Sequence, residues 1–448
     1  MLSIDLLIQR LHLPPTRERI VRNLAWSVLG KVVTLMGSLF VGILVARYLG
    51  PEQYGLMNYV VSFVFLFQVL SAFGLNSIEV REEAKAASTP VAVIGSAFGL
   101  RVVLAVLTIA LCIGTAYAFE ADASTFILVS VYSVAILANT FVVVRNYFMA
   151  IVQNEYVVKS EIWRTLVGIV VKVLLVAAHA PLLLFVCALV LDAVLLSSGY
   201  IIAYHRHVGR MRDWRFSRRI ALHLMHEGFP LLLTGGAVIL YQRIDQLMIG
   251  NLVDKTSLGY FSTASRFVEV LIFVPMMLSQ TITPVLVGIR KHDEAAYRER
   301  SQLFMNVTIW ASLAIAVLVS LCAYPLVRYT FGTPYLPAVA VLQVLAFKAP
   351  SVALSTTAGS MLVVEGLQKW AVCRDMLGCI VCIGLNWLLL PRYGMMAAAV
   401  VAIASNVVAG YVADALVPPY RHLFVQQTRA LFCGWRDMLH LRRLLTAT

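Results

Sequence analysis

The stretch LAWSVLGKVVTLMGSLFVGILVARYLGPEQYGLMNYVVSFVFLFQVLSAFGL, Leu24–Leu75, decides the fold class. It holds two apolar runs, 24–46 and 56–78, separated by Arg47–Gly55, where a Gly-Pro pair and three charged or amide side chains mark a turn. Each run reaches the roughly 20 residues that a helix needs to cross the hydrocarbon of a bilayer. Working outward, the same window finds ten more: 94–119, 123–150, 162–178, 182–204, 228–250, 259–289, 303–323, 337–364, 372–390 and 395–416. Composition agrees: of 448 residues, 60% are hydrophobic and 13% charged, with a mean hydropathy of +0.84. A soluble domain carries about 25% charged residues, so a water-soluble enzyme is excluded as the starting class. The expectation is an all-α polytopic membrane protein of about twelve transmembrane helices.

The net charge of +13 would suggest nucleic acid in a soluble protein, but its placement follows topology. With the amino terminus cytoplasmic, the inside segments 1–23, 79–93, 151–161, 205–227, 290–302, 365–371 and 417–448 hold 23 Lys and Arg. The six outside loops hold only Arg47, Lys255, Arg328 and Arg392, a bias that predicts both termini inside and needs no nucleic-acid partner. The first run follows Arg10, Arg17, Arg19 and Arg22 and lacks a small-residue cleavage site, so it reads as a retained span and not a signal peptide. The seven cysteines all fall in expected spans or the tail, which implies no disulfide framework.

The basic segment 205–227 divides the chain into halves of six helices. The expected organisation is a cytoplasmic amphipathic N-terminus (1–23), an N-lobe (24–204), a basic linker (205–227), a C-lobe (228–416) and a basic cytoplasmic tail (417–448). An even number of spans per half makes any repeat parallel, about an axis along the membrane normal. A shift of 204 residues lays Tyr54–Val64 over Leu258–Val268, with Gly, Phe and Val coinciding; a shift of 212 lays the segment from Met149 over that from Met361. Leu7–Leu13 and Arg429–Leu445 read as amphipathic segments resting on anionic headgroups.

Most catalytic and cofactor motifs are missing. The one Gly-Lys, Gly30–Lys31, lacks both the upstream glycine and the following Ser or Thr of a phosphate-binding loop. His205, His207, His223 and His226 have no cysteine or acidic cluster beside them and read as solvated, and Cys379 and Cys382 read as small packing residues in an apolar helix. No cofactor or metal is expected. The outside loops, at most 13 residues long, leave little room for the catalytic constellation of a polytopic glycan polymerase.

What remains is charge at bilayer depth, which costs about 2.5 to 3.5 kcal/mol per group on the mildest scale. The spans contain Lys31, Arg101, Arg145, Arg164 and Lys172 in the first half and Arg243, Arg266, Lys348 and Arg374 in the second. Against them stand Asp192 in the first half and Asp245, Glu269, Asp375 and Asp414 in the second. Arg145, Arg164 and Arg374 lie near cytoplasmic ends, within snorkelling distance of headgroups. Arg266 and Glu269, three apart, share a helix face, whereas Arg243 and Asp245 do not. Lys31, Arg101, Lys172 and Lys348 sit deep and have no local partner in sequence, so they are expected to face a wet, electropositive cavity that attracts phosphate or carboxylate. Lys31, Arg101, Arg145, Lys172, Arg266 and Lys348 are the candidate substrate-binding cations, and Asp245 and Glu269 the candidate ion-coupling acids. Pro230, Gly235 and Gly236, then Pro275 and Pro284, soften the seventh and eighth spans.

Three stretches carry a resemblance: GILVARYLGPEQYGLMNYVVSFVFLF (Gly42–Phe67), YQRIDQLMIG (Tyr241–Gly250) with LGYFSTASRFVE (Leu258–Glu269), and LPRYGMMAAAVVA (Leu390–Ala402). They resemble the Wzx-type polysaccharide and O-antigen flippases of the multidrug/oligosaccharidyl-lipid/polysaccharide exporter superfamily, over about Asn23–Tyr420. The family commonly has a further glycine where Met395 follows Tyr393–Gly394. The resemblance implies two six-helix bundles in the bacterial inner membrane. It implies translocation of undecaprenyl-pyrophosphate-linked oligosaccharide from the cytoplasmic to the periplasmic leaflet, by alternating access through a cationic central cavity. Implied partners are the lipid-linked substrate, H+ or Na+ as coupling ion, and a polysaccharide polymerase and chain-length regulator. The competing expectations are an exporter of cationic drugs from the same superfamily, which buried carboxylates would suit, and a glycan polymerase.

Overall fold

A computed structural model describes residues 15–85, 90–119, 122–367 and 371–436. Leu7–Leu13 and the tail beyond 436 lie outside the described residues. The described backbone is helical, without a strand. In chain order the helices are α1 (Pro15–Ala72), α2 (Leu75–Lys85), α3 (Pro90–Phe119), α4 (Ala123–Ser133), α5 (Ala135–Ala138), α6 (Val142–Ala150), α7 (Asn154–Ala177), α8 (Leu182–His207), α9 (Arg218–Leu252), α10 (Lys255–Arg290), α11 (Glu294–Leu321), α12 (Ala323–Thr330), α13 (Ala338–Leu345), α14 (Lys348–Glu365), α15 (Ala371–Val407), α16 (Ala413–Leu416) and α17 (Arg421–Cys433).

Each expected span falls on helical backbone, and eight stretches among the described residues are long and apolar enough to cross a membrane. Helices α7 and α9 are not among the eight, because both carry several charged side chains: Lys159, Glu161, Arg164 and Lys172 on one, Arg243 and Asp245 on the other. Two of the eight hold two expected spans each. The 58 residues of α1 would reach far beyond a bilayer at 1.5 Å per residue, and the helix breaks at Gly50, whose φ of 74° is open to glycine at no steric cost. Helix α15 breaks in the same way at Gly394, φ 57°. The backbone runs helically through Pro230, Pro275 and Pro284, so the sharp breaks fall at glycines and not at the three prolines that the sequence singles out.

The second expected span ends at Ala72 instead of 78. Phe73 and Gly74 both take positive φ, and α2 starts afresh at Leu75. A Cβ on Gly74 would lie 2.7 Å from the Gly228 carbonyl oxygen, so the turn exists in this form because two backbones meet there without side chains.

The chain forms two compact units, one of residues 1–48 and 60–236, the other of 49–59 and 237–448. In unit 1, Leu75, Ile94, Val143, Phe148, Tyr200 and Leu224 build a core from α2, α3, α6, α8 and α9. The segment before α9 is part of this unit. Trp214 packs edge-on against Phe98, Ser217 N donates to Ser96 Oγ at 2.9 Å, and Gly95 and Gly99 leave room for Arg215 and Phe216. In unit 2, Leu286, Tyr297, Phe304, Met361 and Leu423 join α10, α11, α14 and α17. Helix α17 buries Leu423, Gln427 and Ala430 on one face, and Trp310 Nε1 donates to the Ala430 carbonyl. The start of the segment expected to rest on headgroups is therefore packed on protein, because a polar surface helix with one face of this kind buries it.

Within unit 2, residues 51–59 lie backbone to backbone against the start of α10. A Cβ on Gly55 would sit 1.7 Å from the Lys255 carbonyl oxygen, and one on Gly259 would sit 2.0 Å from that of Pro51. The two contacts are reciprocal, and both pairs, 51 with 255 and 55 with 259, are 204 residues apart. Self-complementary contact of this type is what a local two-fold relation produces.

Candidate functional site

Helix α2 has the sequence LNSIEVREEAK, and its buried face combines Leu75 and Ile78 with Glu79 and Glu83. Arg101, toward the middle of α3, meets Glu79 in a fork: Nε donates to Oε1 at 2.6 Å and Nη2 to Oε2 at 3.0 Å. Nη2 also donates to Asn76 Oδ1 at 2.7 Å, and Asn146 Nδ2 of α6 donates to Glu79 Oε2 at 2.6 Å. Arg101 and Glu79 are 4% and 0% exposed. Such bidentate geometry is what allows a buried ion pair to offset its desolvation. Arg101 therefore has a partner, contrary to the sequence reading. The partner was missed because the expected second span ran to 78 and left Glu79 in a cytoplasmic loop.

Lys172 of α7 is likewise paired, with Asp192 of α8. Gly168 stands one turn before Lys172, and a Cβ there would come within 2.4 Å of Asp192 Oδ1, so the missing side chain is what admits the carboxylate. The lone acid of the first half and one of its apparently unpaired cations thus belong together. Arg145, half exposed on α6, has Nε 4.0 Å from Glu161 of α7, which also accepts from Tyr200. Lys31 is exposed on α1 and pairs with no carboxylate among the described residues, while its neighbour Gly30 is packed on Val158.

Unit 2 is arranged differently. Glu269 is shared by two guanidinium groups, Arg266 Nη1 at 3.4 Å on its own helix and Arg243 Nη2 at 3.6 Å from α9. All three side chains are about a third exposed, between 28% and 38%. Tyr54 adds its hydroxyl to the surroundings of Arg266. One carboxylate is thus shared by two guanidinium groups that water still reaches.

Asp245 is buried, and neutral donors surround it: Asn386 Nδ2 at 2.7 Å and Cys382 Sγ at 3.1 Å. Lys348 acts on it electrostatically. The chain between α13 and α14 breaks out of regular helix just before Lys348, which starts α14 and is half-buried. Cys379 packs against Val401, but Cys382 does more than fill space. The signal for it was legible: Cys382 and Asn386, four apart, place two polar groups on one face of an otherwise apolar helix. Arg374, Asp375 and Asp414 form a third cluster, with Arg374 Nη1 3.8 Å from Asp414 Oδ1 and Gln427 donating to Asp414 Oδ2.

Residues 44–340 match the family described as polysaccharide biosynthesis protein. The chain belongs to this family. No curated protein matches the sequence. Among solved structures, the fold is similar to the lipid II flippase MurJ in an inward closed conformation, at a TM-score of 0.72 and 14% identity, covering 93% of this chain and 92% of that one. It is also similar to an inward-facing multidrug resistance transporter of the MATE family, MOP superfamily, at a TM-score of 0.67 and 16% identity over 89% and 94%. A MOP superfamily transporter from Pyrococcus furiosus matches at a TM-score of 0.60 and 16% identity over 94% and 97%. At such identities the likeness establishes the fold, that of a multi-pass membrane transporter. A member of the polysaccharide biosynthesis family with this fold is a multi-pass integral membrane protein, and its buried charges lie on the helices of that fold.

Proposed function

We propose that the protein is a flippase that moves an undecaprenyl-pyrophosphate-linked oligosaccharide, the repeat unit of O-antigen or another surface polysaccharide, across the bacterial inner membrane by alternating access. A polymerase and a chain-length regulator act downstream on its product. The observation that carries the reading is the pair of guanidinium groups, Arg243 and Arg266, gathered about Glu269 and each about a third exposed, in a chain that belongs to a polysaccharide biosynthesis family. An anionic headgroup is the ligand that two partly exposed guanidinium groups attract.

The six cations divide by their partners. Lys31, Arg266, Lys348 and Arg145 contact the pyrophosphate or acidic sugars, whereas Arg101 and Lys172, each matched by a carboxylate, hold the helices in place. Asp245 and Glu269 are the acids through which H+ or Na+ couples to transport; twelve spans and cytoplasmic termini complete the topology. The test is translocation of labelled lipid-linked oligosaccharide in proteoliposomes. Lys31→Gln and Arg266→Gln are expected to lower the rate roughly tenfold or more, about 1.4 kcal/mol each, with thermal stability unchanged. Wild-type rates in both variants would sink the cationic-site assignment, and efflux of cationic drugs without glycan movement would favour the drug-exporter reading.

A further inference from the structure

Glu83 is the buried charge that the transport reading leaves unused. It lies one turn after Glu79 on the same face of α2, is 5% exposed, and neither carboxylate oxygen has a hydrogen-bond partner among the described residues. Leu75 and Ile78, on the same buried face of α2, pack in the unit 1 core with Ile94, Val143 and Phe148. The ionisable groups that act on it are Glu79 on its own helix, Arg101 on α3, Tyr147 on α6 and Tyr204 on α8. Helix α9 brings His223, His226 and Glu227 to Arg81, on the opposite and exposed face of α2.

Arg101 cannot serve both acids. Its Nε and Nη2 are committed to Glu79 and Asn76, and Asn146 also donates to Glu79. Two carboxylates and one guanidinium leave one buried carboxyl without a hydrogen-bond donor among the described residues. A buried carboxylate in that position gives up its charge in preference to bearing the cost of desolvation. A divalent ion would need several oxygen ligands around it, and among the described residues no group of three or more His, Cys, Asp or Glu side chains is placed to hold one.

We propose that Glu83 is a proton-binding site of unit 1, neutral while its carboxyl lies beside the Glu79–Arg101 pair and ionised only when water reaches it. The site is separate from Asp245 in unit 2, and the inference stands whichever substrate the protein carries. In a transporter it gives α2 a position sensitive to protons: ionisation of Glu83 opposes closure of its pocket, and protonation permits it.

The experiment is infrared difference spectroscopy of the full-length protein in lipid nanodiscs, from about pH 5 to about pH 9. A neutral carboxyl carbonyl band is expected at neutral pH in the wild type. It is expected to vanish in Glu83→Gln, which keeps the shape of the protonated acid, and to change frequency in Glu83→Asp. The band is expected to persist when sodium replaces potassium. A wild-type minus Glu83→Gln spectrum without a neutral carboxyl band at neutral pH would overturn the proposal. So would a Glu83→Asp spectrum with no displaced band, or one whose Glu83 signal follows sodium and not pH. If Glu83→Gln does not fold, the Glu83→Asp comparison alone decides.

Discussion

In unit 1 the deep cations Arg101 and Lys172 each face one carboxylate, whereas in unit 2 one carboxylate is shared by two arginines. Arg101 with Glu79 and Lys172 with Asp192 are each one cation to one carboxylate, nearly sealed from solvent on the cation side. Glu269 is divided between two arginines that remain about a third exposed, and Asp245 rests on an amide and a thiol. A sealed pair has nothing left to offer a ligand, and its value lies in the cost of breaking it. A half-wet cluster that shares one carboxylate between two guanidinium groups contributes little to folding and stays open to a ligand. The same residue types therefore fasten helices in one region and are available for binding in the other.

The largest effect tests the first half of that contrast. Arg101→Met leaves Glu79 buried without its guanidinium, and the expected loss of stability is about 3–5 kcal/mol. Adding Glu79→Gln to the same chain removes the uncompensated charge and is expected to recover much of the loss. Chemical or thermal unfolding in detergent measures both variants. If the single variant is as stable as the wild type, the pair is not a fastener. A smaller effect is expected at the second pair. Gly168→Ala gains about 1 kcal/mol of helix propensity, but its Cβ would clash with Asp192 Oδ1 and so disturb the carboxylate whose Oδ2 accepts from Lys172. The net loss is expected at roughly 1–2 kcal/mol, and an increase in stability would show that Asp192 moves freely.

The fold class was legible because apolar length is a local property: every expected span falls on helix, and both termini of the match to the polysaccharide biosynthesis family lie inside the stretch that resembled it. Even the faint repeat by 204 residues proved physical, since Gly55 and Gly259 touch as equivalents. Partnership was not legible. Glu79 is 22 residues from Arg101, and Asp192 is 20 from Lys172, on separate helices in both cases. A sequence displays neighbours at three and four residues, which is why Arg266 with Glu269 was recognised and these two pairs were not. The turn at Phe73–Gly74 was hidden for a related reason. Its conformation depends on the approach of Gly228, over 150 residues away.

The smallest effect comes from a pair that is both matched and wet, and it shows how much of the contrast is due to burial. His422 Nε2 lies 2.7 Å from Glu365 Oε2, and Tyr297 donates to the other oxygen of the same carboxylate. The hydrogen bond to Glu365 raises the pKa of His422 above its ordinary value of 6.5, and the Glu365 charge adds to this. Because the folded value is the higher one, the folded protein holds the proton more tightly, and the pair stabilises fully below about pH 6. That contribution is lost as the pH rises through the folded value. With the imidazole side chain 45% exposed, water screens the interaction, and the expected contribution is about 0.2–1 kcal/mol. The pH dependence of the melting temperature should flatten slightly above about pH 6 in His422→Gln, and the difference from the wild type should shrink in high salt. A change as large as that of Arg101→Met would mean that burial is not what separates the two kinds of pair.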